Sequence, residues 1–533
     1  MERAENRRRP ERGGRAARGA GRSRGGVAQR PWKLLERPYP PTEILSADQV
    51  ESLHRAALRL LSEIGMKVLD GTARARYRAG GAEVDDGTMM VRFDPALLEG
   101  LVAQAPERFT LSARNPARDL VVGGRHSIFV AVGGPAYVSD LEKGRRAGSF
   151  AEMCDFLKAI QSLNVIHQEG GSPFEPLDLD PETRHLDFYL AAATLMDKSW
   201  QGIGLGRART LDSLEMAARM LGLADRAALV GRPTVMTVIN TNSPLVLDEP
   251  MAEGLIALAE HGQPAIVTPF TLAGAMAPVT LAGALVQQHA EALAAIALTQ
   301  IVRPGCPAVY GAFTSNVDMK SGSPAFGTPE YAQAAQISGQ LARRAGLPFR
   351  SSNVNAANAP DAQAAWESQM ALWGALMGGA DVVEHAAGWL GGGLVASAEK
   401  LVIDAEMLQM LAAYFEPPAV DEAALALDAQ REVGPGGHFF GCAHTLERYE
   451  TAFHAPLVAN WDNHDAWVER GSPTAPEKAH EVWKQLLADY ARPPIDPARS
   501  QNVPVPSPAP RQPDFVSGPP IRFRLRYQRI ADP

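Results

Sequence analysis

From Ser149 onward the chain alternates between two apolar patterns. Stretches with helical spacing fall at Phe150–Leu163, Pro181–Lys198, Thr210–Leu223, Glu249–His261, Thr280–Val302, Pro329–Ala345 and Asp361–Met377. Between them lie compact apolar segments that end in polar or glycine-rich residues: NVIHQEG, SWQGIGLG, TVMTVINTNSP, AIVTPFTLAG, AVYGAFTSN, PFRSSNVN and DVVEHAAG. Short apolar runs without in–out alternation are what parallel strands covered on both faces require. Seven such strands, with an eighth near Ala131 or Leu394, approach the eight of a closed barrel. The pattern therefore predicts the α/β class, as a (β/α)8 TIM barrel over residues 149–415. An open doubly wound sheet is the structural alternative. No strand leads into a G-x-G-x-x-G turn, and the GIGLG of Gly202–Gly206 lacks the third spacing and the acidic partner of a dinucleotide site.

The flanks read differently. Ser46–Leu69 begins with a Ser cap and an acidic first turn, presents Leu53, Ala57, Leu60 and Leu61, and ends at Gly65. From Val84 to Asp140 short segments (TMMVRF, RFTLSA, LVVGG, SIFVAV) are broken by Asn, Pro and Gly, predicting a small antiparallel sheet. Together these make an N-terminal helix plus small-sheet cap over residues 42–148. Residues 416–495 read as a C-terminal helical extension, with turns at Pro417–Pro418 and Gly434–Gly437 and an amphipathic helix over Ala475–Ala491. Residues 1–41 (Arg-rich) are low in complexity and are expected to stay outside the fold, while the Pro-rich 496–533 is expected as an extended segment that packs on a surface or stays loose.

Composition narrows the function classes. Across 533 residues, 46% hydrophobic and 21% charged is a balance that supports a large core. A net charge of −8 gives no reason to expect a nucleic-acid partner for the folded part. Three widely spaced cysteines, Cys154, Cys306 and Cys442, suit a reducing compartment better than a disulfide framework. The longest apolar run, Leu281–Val302, is interrupted by Gln287, Gln288, His289, Glu291 and Gln300, so no membrane span is expected. The basic N-terminus has no apolar signal core behind it. A cytoplasmic homo-oligomer is the resulting expectation.

In a barrel, chemistry is confined to the carboxyl ends of the strands. Those ends carry Glu169, Asn240, Asn316, Ser352 and Asn353, and, at the close of DVVEH, Glu384 and His385. They also carry Gln168, Gln201, Asn242, Thr268, Thr271, Thr314, Ser351 and Asn355. The set is mostly amides and hydroxyls, which suits holding a polar or cationic small molecule better than hydrolysis by paired acids. Aromatics recur nearby at Phe174, Trp200, Phe270, Tyr310, Phe313, Phe349 and Trp389. Aromatic faces attract quaternary ammonium groups by roughly 0.5–2 kcal/mol each. The same residue types also cap turns and fill cores. Glu384 and His385 are the catalytic candidates, and Glu169, Trp200, Asn240, Phe270, Tyr310, Phe313, Asn316, Phe349, Ser352, Asn353 and Trp389 the substrate-binding ones. His438, Cys442, His444 and His454 match no zinc spacing, and no metal site is expected.

Seven blocks resemble the trimethylamine methyltransferase family in order and spacing: GGPAYVSDLEKGRR, TNSPLVLDEPM, TPFTLAGAMAPVTLAGAL, GTPEYAQAAQISGQLARRAGLPFRSS, PDAQAAWES, EKLVIDAEML and EVGPGGHFFGCAHTLERY. They lie within residues 45–490. The resemblance implies a (β/α)8 barrel that passes a methyl group from an amine to the Co(I) of a cognate corrinoid (cobalamin) protein. It implies no cofactor bound permanently by this chain. Archetypal members carry pyrrolysine at a strand end, whereas this chain has only standard residues. Members without pyrrolysine are similar to enzymes acting on glycine betaine and related compounds, so the implied substrate is a small quaternary amine. A non-catalytic betaine-binding barrel, acting as sensor or carrier, is the alternative.

Overall fold

The computed structural model of the protein describes residues 26–495. The stretches 1–25 and 496–533, with the expectations placed on them, lie outside the described residues.

Eight strand–helix units follow one another along the chain. The strands are β1 (His126–Ala131), β2 (Gln168–Glu169), β3 (Ser199–Trp200), β4 (Thr237–Thr241), β5 (Ala265–Ala273), β6 (Ala308–Gly311), β7 (Phe349–Ser352) and β8 (Val382–Ala387). After Ala312, β6 continues as Phe313–Val317. The helices are α1 (Phe150–Ser162), α2 (Arg184–Leu195), α3 (Arg207–Met220), α4 (Glu249–Glu260), α5 (Leu281–Val302), α6 (Pro329–Arg344), α7 (Ala362–Met377) and α8 (Ala398–Tyr414). Side chains of Ser149, Asp248, Thr280, Thr328, Asp361 and Ser397 each accept a first-turn N–H of the helix they precede. Each such cap stabilises its helix by about 1 kcal/mol and marks where the loop must end.

All eight strands run parallel, in the order β3-β2-β1-β8-β7-β6-β5-β4. An isolated parallel bridge between Gln201 and Met236 links the chain beyond β3 to the chain before β4. One sheet face meets the helices. On the other, Ile128, Val130, Met236, Ile266, Val309 and Val382 form a separate apolar cluster. The hairpin of Arg108–Leu111 and Leu120–Gly123 contributes Phe109, Leu111, Leu120 and Val122 to that cluster, closing the sheet at the strand starts. Helix α5 is long and apolar enough to cross a membrane, but most of it is buried within the fold.

Two expectations need correction. The segment SIFVAV is expected in the antiparallel cap, with a barrel strand near Ala131 as the other possibility; it forms β1, paired in parallel with β8 and β2, so the second possibility holds and the main sheet begins before residue 149. Its residues are buried on both faces, which a cap strand exposed on one side would not be. The rest of the expected small sheet divides into that hairpin and a sheet of Met66–Val68, Glu83–Asp85, Met90–Arg92 and Val246–Leu247. Secondly, residues 26–41 are part of the fold. Leu35–Glu36 pairs antiparallel with β1, and Arg37 is buried behind it. The Arg37 guanidinium donates to Gly124 O, His126 O, Ser127 Oγ, Ala380 O and Asp381 Oδ1, the last at 3.0 Å. Asp381 Oδ2 in turn accepts Phe349 N–H. This one arginine clasps the starts of β1, β7 and β8.

Removing one partner of a buried ion pair typically costs about 3–5 kcal/mol, because the other charge is left unpaired. Arg37→Met should lower stability by about that much, and Arg37→Met with Asp381→Asn should recover part of it. Urea unfolding of the two variants checks this; a single variant as stable as the parent contradicts it.

Candidate functional site

Strand alternation sorts the strand-end residues into two sets. On the face of the apolar cluster, one step further along each strand, come Gln168, Gln201, Asn240, Thr268, Phe270, Gly311, Phe313, Arg350, Ser352 and Glu384. The registers agree: Asn240 pairs with Thr268, Phe270 with Phe313, Gly311 with Arg350, and Ser352 with Glu384. A side chain at Gly311 would meet Thr268 Oγ1 at 2.1 Å and Val267 O at 2.6 Å, so only glycine fits where β6 passes this part of β5. The inner face is apolar at its floor and polar and aromatic above.

Glu384 is 0% exposed. Its Oε1 accepts Gln201 Nε2–H at 2.5 Å. Strands β2 and β1 lie between β3 and β8 in the sheet, so this bond runs across the concave face. Gln201 Nε2 also approaches Gln168 Oε1 at 3.4 Å, and Gln168 donates to Ser199 Oγ. Glu384 Oε2 has no hydrogen-bond partner among the described residues. Burial raises the Glu384 pKa, while the Arg350 charge and the Gln201 bond pull it back. Glu169 is fully buried too, but its carboxylate accepts the N–H groups of Gly171 and Ser172 and so closes its own loop. Burial pushes Glu169 up to about 8.

Arg350 was missed by the strand-end reading, which followed the uncharged SSN. It is 1% exposed. Its Nη1 donates to Ala312 O at 3.2 Å, its Cζ lies 5.4 Å from the Phe313 ring centroid, and its Nε has no partner among the described residues. The available signal was phase: Arg350 sits two residues before Ser352 and so shares the face of Glu384.

The aromatics that come together are Phe270, Phe313 and Trp389, with His385. Phe313 lies 5.0 Å from Phe270, 5.6 Å from Phe326 and 6.3 Å from Trp389, and His385 lies 4.1 Å from Trp389. His385 has a left-handed backbone (φ 53°), which turns the chain out of β8. Burial and the Arg350 charge push its imidazole well below its usual pKa, so it is neutral near pH 7. Asn353 Nδ2 donates to Ala386 O and Asn355 Nδ2 to Trp389 O, pinning the loop from behind. Gly388 N–H donates to Asp404 Oδ2, and Asp404 forms a buried ion pair with Lys400. The rim is accessible: Asn240 is exposed and Phe270 and His385 are half-buried, above the buried Arg350 and Glu384.

Other candidates turn away. Tyr310 faces α5, where its hydroxyl meets His289 Nδ1 at 2.9 Å, and His289 meets His54. Phe349, its strand neighbour, shares that face and packs beneath α6. Trp200 packs on Tyr189 and Phe188 of α2. In each case the residue is out of phase with the inner face. Asn316 Oδ1 accepts the hydroxyl of Thr328, the cap of α6, and serves the loop. Thr271 and Thr314 bond each other, and Thr314 bonds Gln288 on α5. His454 lies 3.3 Å from Glu406, and Cys442 sits beside Thr445. A cleft of about 310 Å³ near Val27, Pro456 and Gln485 lies away from the strand ends and gathers no comparable set.

Comparison with known proteins gives the following. The profile of the trimethylamine methyltransferase (MTTB) family matches residues 11–504. The glycine betaine methyltransferase of Desulfitobacterium hafniense (strain Y51) is 35% identical over 459 residues, covering 86% of this chain and 95% of that protein. The trimethylamine methyltransferase MttB of D. hafniense (strain DSM 10664 / DCB-2) is 27% identical over 458 residues, covering 84% and 90%. Among solved structures, the Methanosarcina barkeri monomethylamine methyltransferase (MtmB) superposes with a TM-score of 0.42 at 10% identity, covering 83% of this chain and 92% of that one.

The buried carboxyls also set a pH dependence. Glu169 holds its proton to about 8 in the folded protein, against 4.5 as its ordinary value. Its contribution to stability is therefore complete below about pH 4.5 and is lost as pH rises through about 8. Glu169→Gln should flatten the fall in thermal midpoint between pH 5 and pH 9. Melting curves across that range check it; an unchanged slope contradicts it.

Proposed function

This chain belongs to the trimethylamine methyltransferase family and is an amine methyltransferase, and within that family we propose that it removes a methyl group from a small quaternary amine. The acceptor proposed is the Co(I) corrinoid of a partner protein, docking at the open rim. The architecture proposed is a closed (β/α)8 barrel running from His126 to about residue 415. Supporting closure are the Gln201–Met236 bridge and the Gln201–Glu384 bond across the concave face. The cytoplasm is the compartment proposed, in keeping with three free cysteines.

The observation that carries the reading is the joining of a buried carboxylate to a group of aromatic faces on one side of the sheet. A quaternary ammonium cannot donate a conventional N–H hydrogen bond, so only charge and aromatic faces can hold it. Glu384 supplies the charge, with Phe313, Phe270 and Trp389 as the faces. The apolar cluster closes the floor, leaving the rim at Asn240, Phe270 and His385 for approach to the methyl group. A bound Co(I) corrinoid would supply the nucleophile that takes the methyl group. The chain's own part is to align the C–N bond toward the rim, exclude water from the floor and hold the cation. The leaving group is a neutral tertiary amine, so no proton need be delivered to break the bond. This fits a site with a neutral His385 and no pyrrolysine.

A carboxylate next to the ammonium stabilises the substrate more than a transition state in which that positive charge is fading. Glu384→Gln should therefore act chiefly on KM, lowering kcat/KM by about 10–100-fold. The assay is methylation of added cob(I)alamin, followed optically, with a panel of quaternary amines and with trimethylamine. Turnover of quaternary amines supports the reading. Turnover of trimethylamine alone, or a Glu384→Gln variant with unchanged kcat/KM, contradicts it.

A further inference from the structure

We infer that residues 417–453 form an arm that clasps a second copy of this chain, lying across the outer faces of α7 and α8 of that copy in a reciprocal two-fold pairing.

The arm leaves the fold at the end of α8 and returns to the same helix. At the first foot Phe415 is buried, and Glu416 pairs with Arg30 and Lys33. At the second, the N–H groups of Leu457 and Val458 donate to Glu406 Oε2 on α8. Between the feet only Ala429 and Cys442 are buried. The chain there is nevertheless regular, with helices Glu422–Leu425, Leu427–Val433 and Ala443–Arg448, the first capped by Asp421. Charged side chains are held locally, Arg431 by Asp428 and Arg448 by His444 O and Glu447. Helices of 4, 7 and 6 residues are far below the ~12–15 that hold alone in water. They need a surface to pack on, and the rest of their own chain does not cover them.

Phe440 and Phe453 on the arm are 86% and 83% exposed, and Trp461, just past the second foot, is 71% exposed. A matching strip lies on the outer helices. Trp366, Met370 and Trp373 recur at i, i+4 and i+7 on α7, and Met410 and Tyr414 at i and i+4 on α8. The rings of Trp373 and Tyr414 lie 5.3 Å apart and join the two helix faces. A surface helix ordinarily turns polar residues outward. Here Trp366, Met370, Met410 and Tyr414 are exposed, so the arm of the same copy does not cover them. The five aromatics Trp366, Tyr414, Phe440, Phe453 and Trp461 each leave more than half of their surface in water. At roughly 150–250 Å² per buried aromatic that is roughly 500–900 Å², close to the ~800 Å² each partner gives a standard interface. A surface this apolar needs cover whenever the chain is folded. A partner that comes and goes leaves it bare between visits, whereas another copy is present wherever the chain is. The feet stand on α8 beside the strip, so a two-fold axis passing α8 sets each arm over the other copy's strip.

The test uses the full chain, with light scattering for its mass in solution and hydrogen exchange for the amides of 417–453. The parent should run as an even multiple of the chain mass, with the arm amides protected. Phe440→Asp on the arm and Trp366→Asp on the strip should each raise the dissociation constant by at least about 30-fold, the effect of losing an aromatic at the centre of an interface. Trp366 is exposed on α7 and is not covered by the arm of its own copy, so loss of arm protection in Trp366→Asp reports the contact between copies. Circular dichroism checks that both variants are folded. Should either not fold, dilution of the parent decides the point, since arm protection should fall together with the mass. A full chain that is monomeric at every concentration overturns the inference, as do folded variants with the parental mass and arm protection. A monomer whose arm loses protection only when residues 496–533 are removed overturns it too, and assigns the surface to the chain's own tail.

Discussion

A guanidinium and a carboxylate are held inside a parallel sheet whose floor is otherwise apolar, and neither can be there cheaply. Taking either ion out of water costs several kcal/mol even after relaxation. Arg350 and Glu384 do not repay that cost by contacting each other, and Gln201 and Ala312 O repay only part of it. The surrounding structure must therefore hold both groups in place. The Arg37–Asp381 clasp fixes the starts of β1, β7 and β8. The hairpin bearing Phe109 and Leu111 seals the floor. The Lys400–Asp404 pair, through Gly388, fixes the loop that carries Trp389.

Rigid support of this kind is what a methyl-transfer site needs. The reaction has little proton chemistry and depends on alignment, and alignment is lost if the rings or charges drift. Gly388 shows how tightly the loop is held: its φ is 98°, and a side chain there would meet Val132 Cγ1 at 2.8 Å. His385, neutral and half-buried, packs its ring 4.1 Å from that of Trp389. The aromatic faces thus stand on a frame anchored from three sides.

Much of the architecture was legible in the sequence. Apolar runs bounded by caps marked seven of the parallel strands and the helices between them, because strands buried on both faces and capped helices leave distinct local patterns. The strand His126–Ala131 reads both as a cap strand and as a barrel strand, because its neighbours, Arg108–Leu111 and Leu120–Gly123, do form a hairpin. Nothing local tells a strand which sheet it will join. The site was legible in part. Phe270, Phe313 and Trp389 sit at strand ends and come together, and Glu384 shares the face of Phe270 and Phe313, whereas Tyr310, Phe349 and Trp200 sit at strand ends and face helices. What separates the two groups is phase, set by register and a bend at Ala312, and register is a property of pairs of strands. Arg350 was passed over for the same reason. Its importance lies in the hydrogen bonds it does not make, which no sequence displays.

In the function proposed above, one face of the sheet binds a small quaternary amine between Glu384 and the aromatic group. A crystal structure of the full chain with glycine betaine measures this most directly. The account predicts the trimethylammonium group against Phe313, Phe270 and Trp389, with Glu384 as the nearest carboxylate and the methyl groups toward the rim. A ligand bound elsewhere, or Glu384 and Arg350 closed onto each other with the ligand excluded, would contradict it.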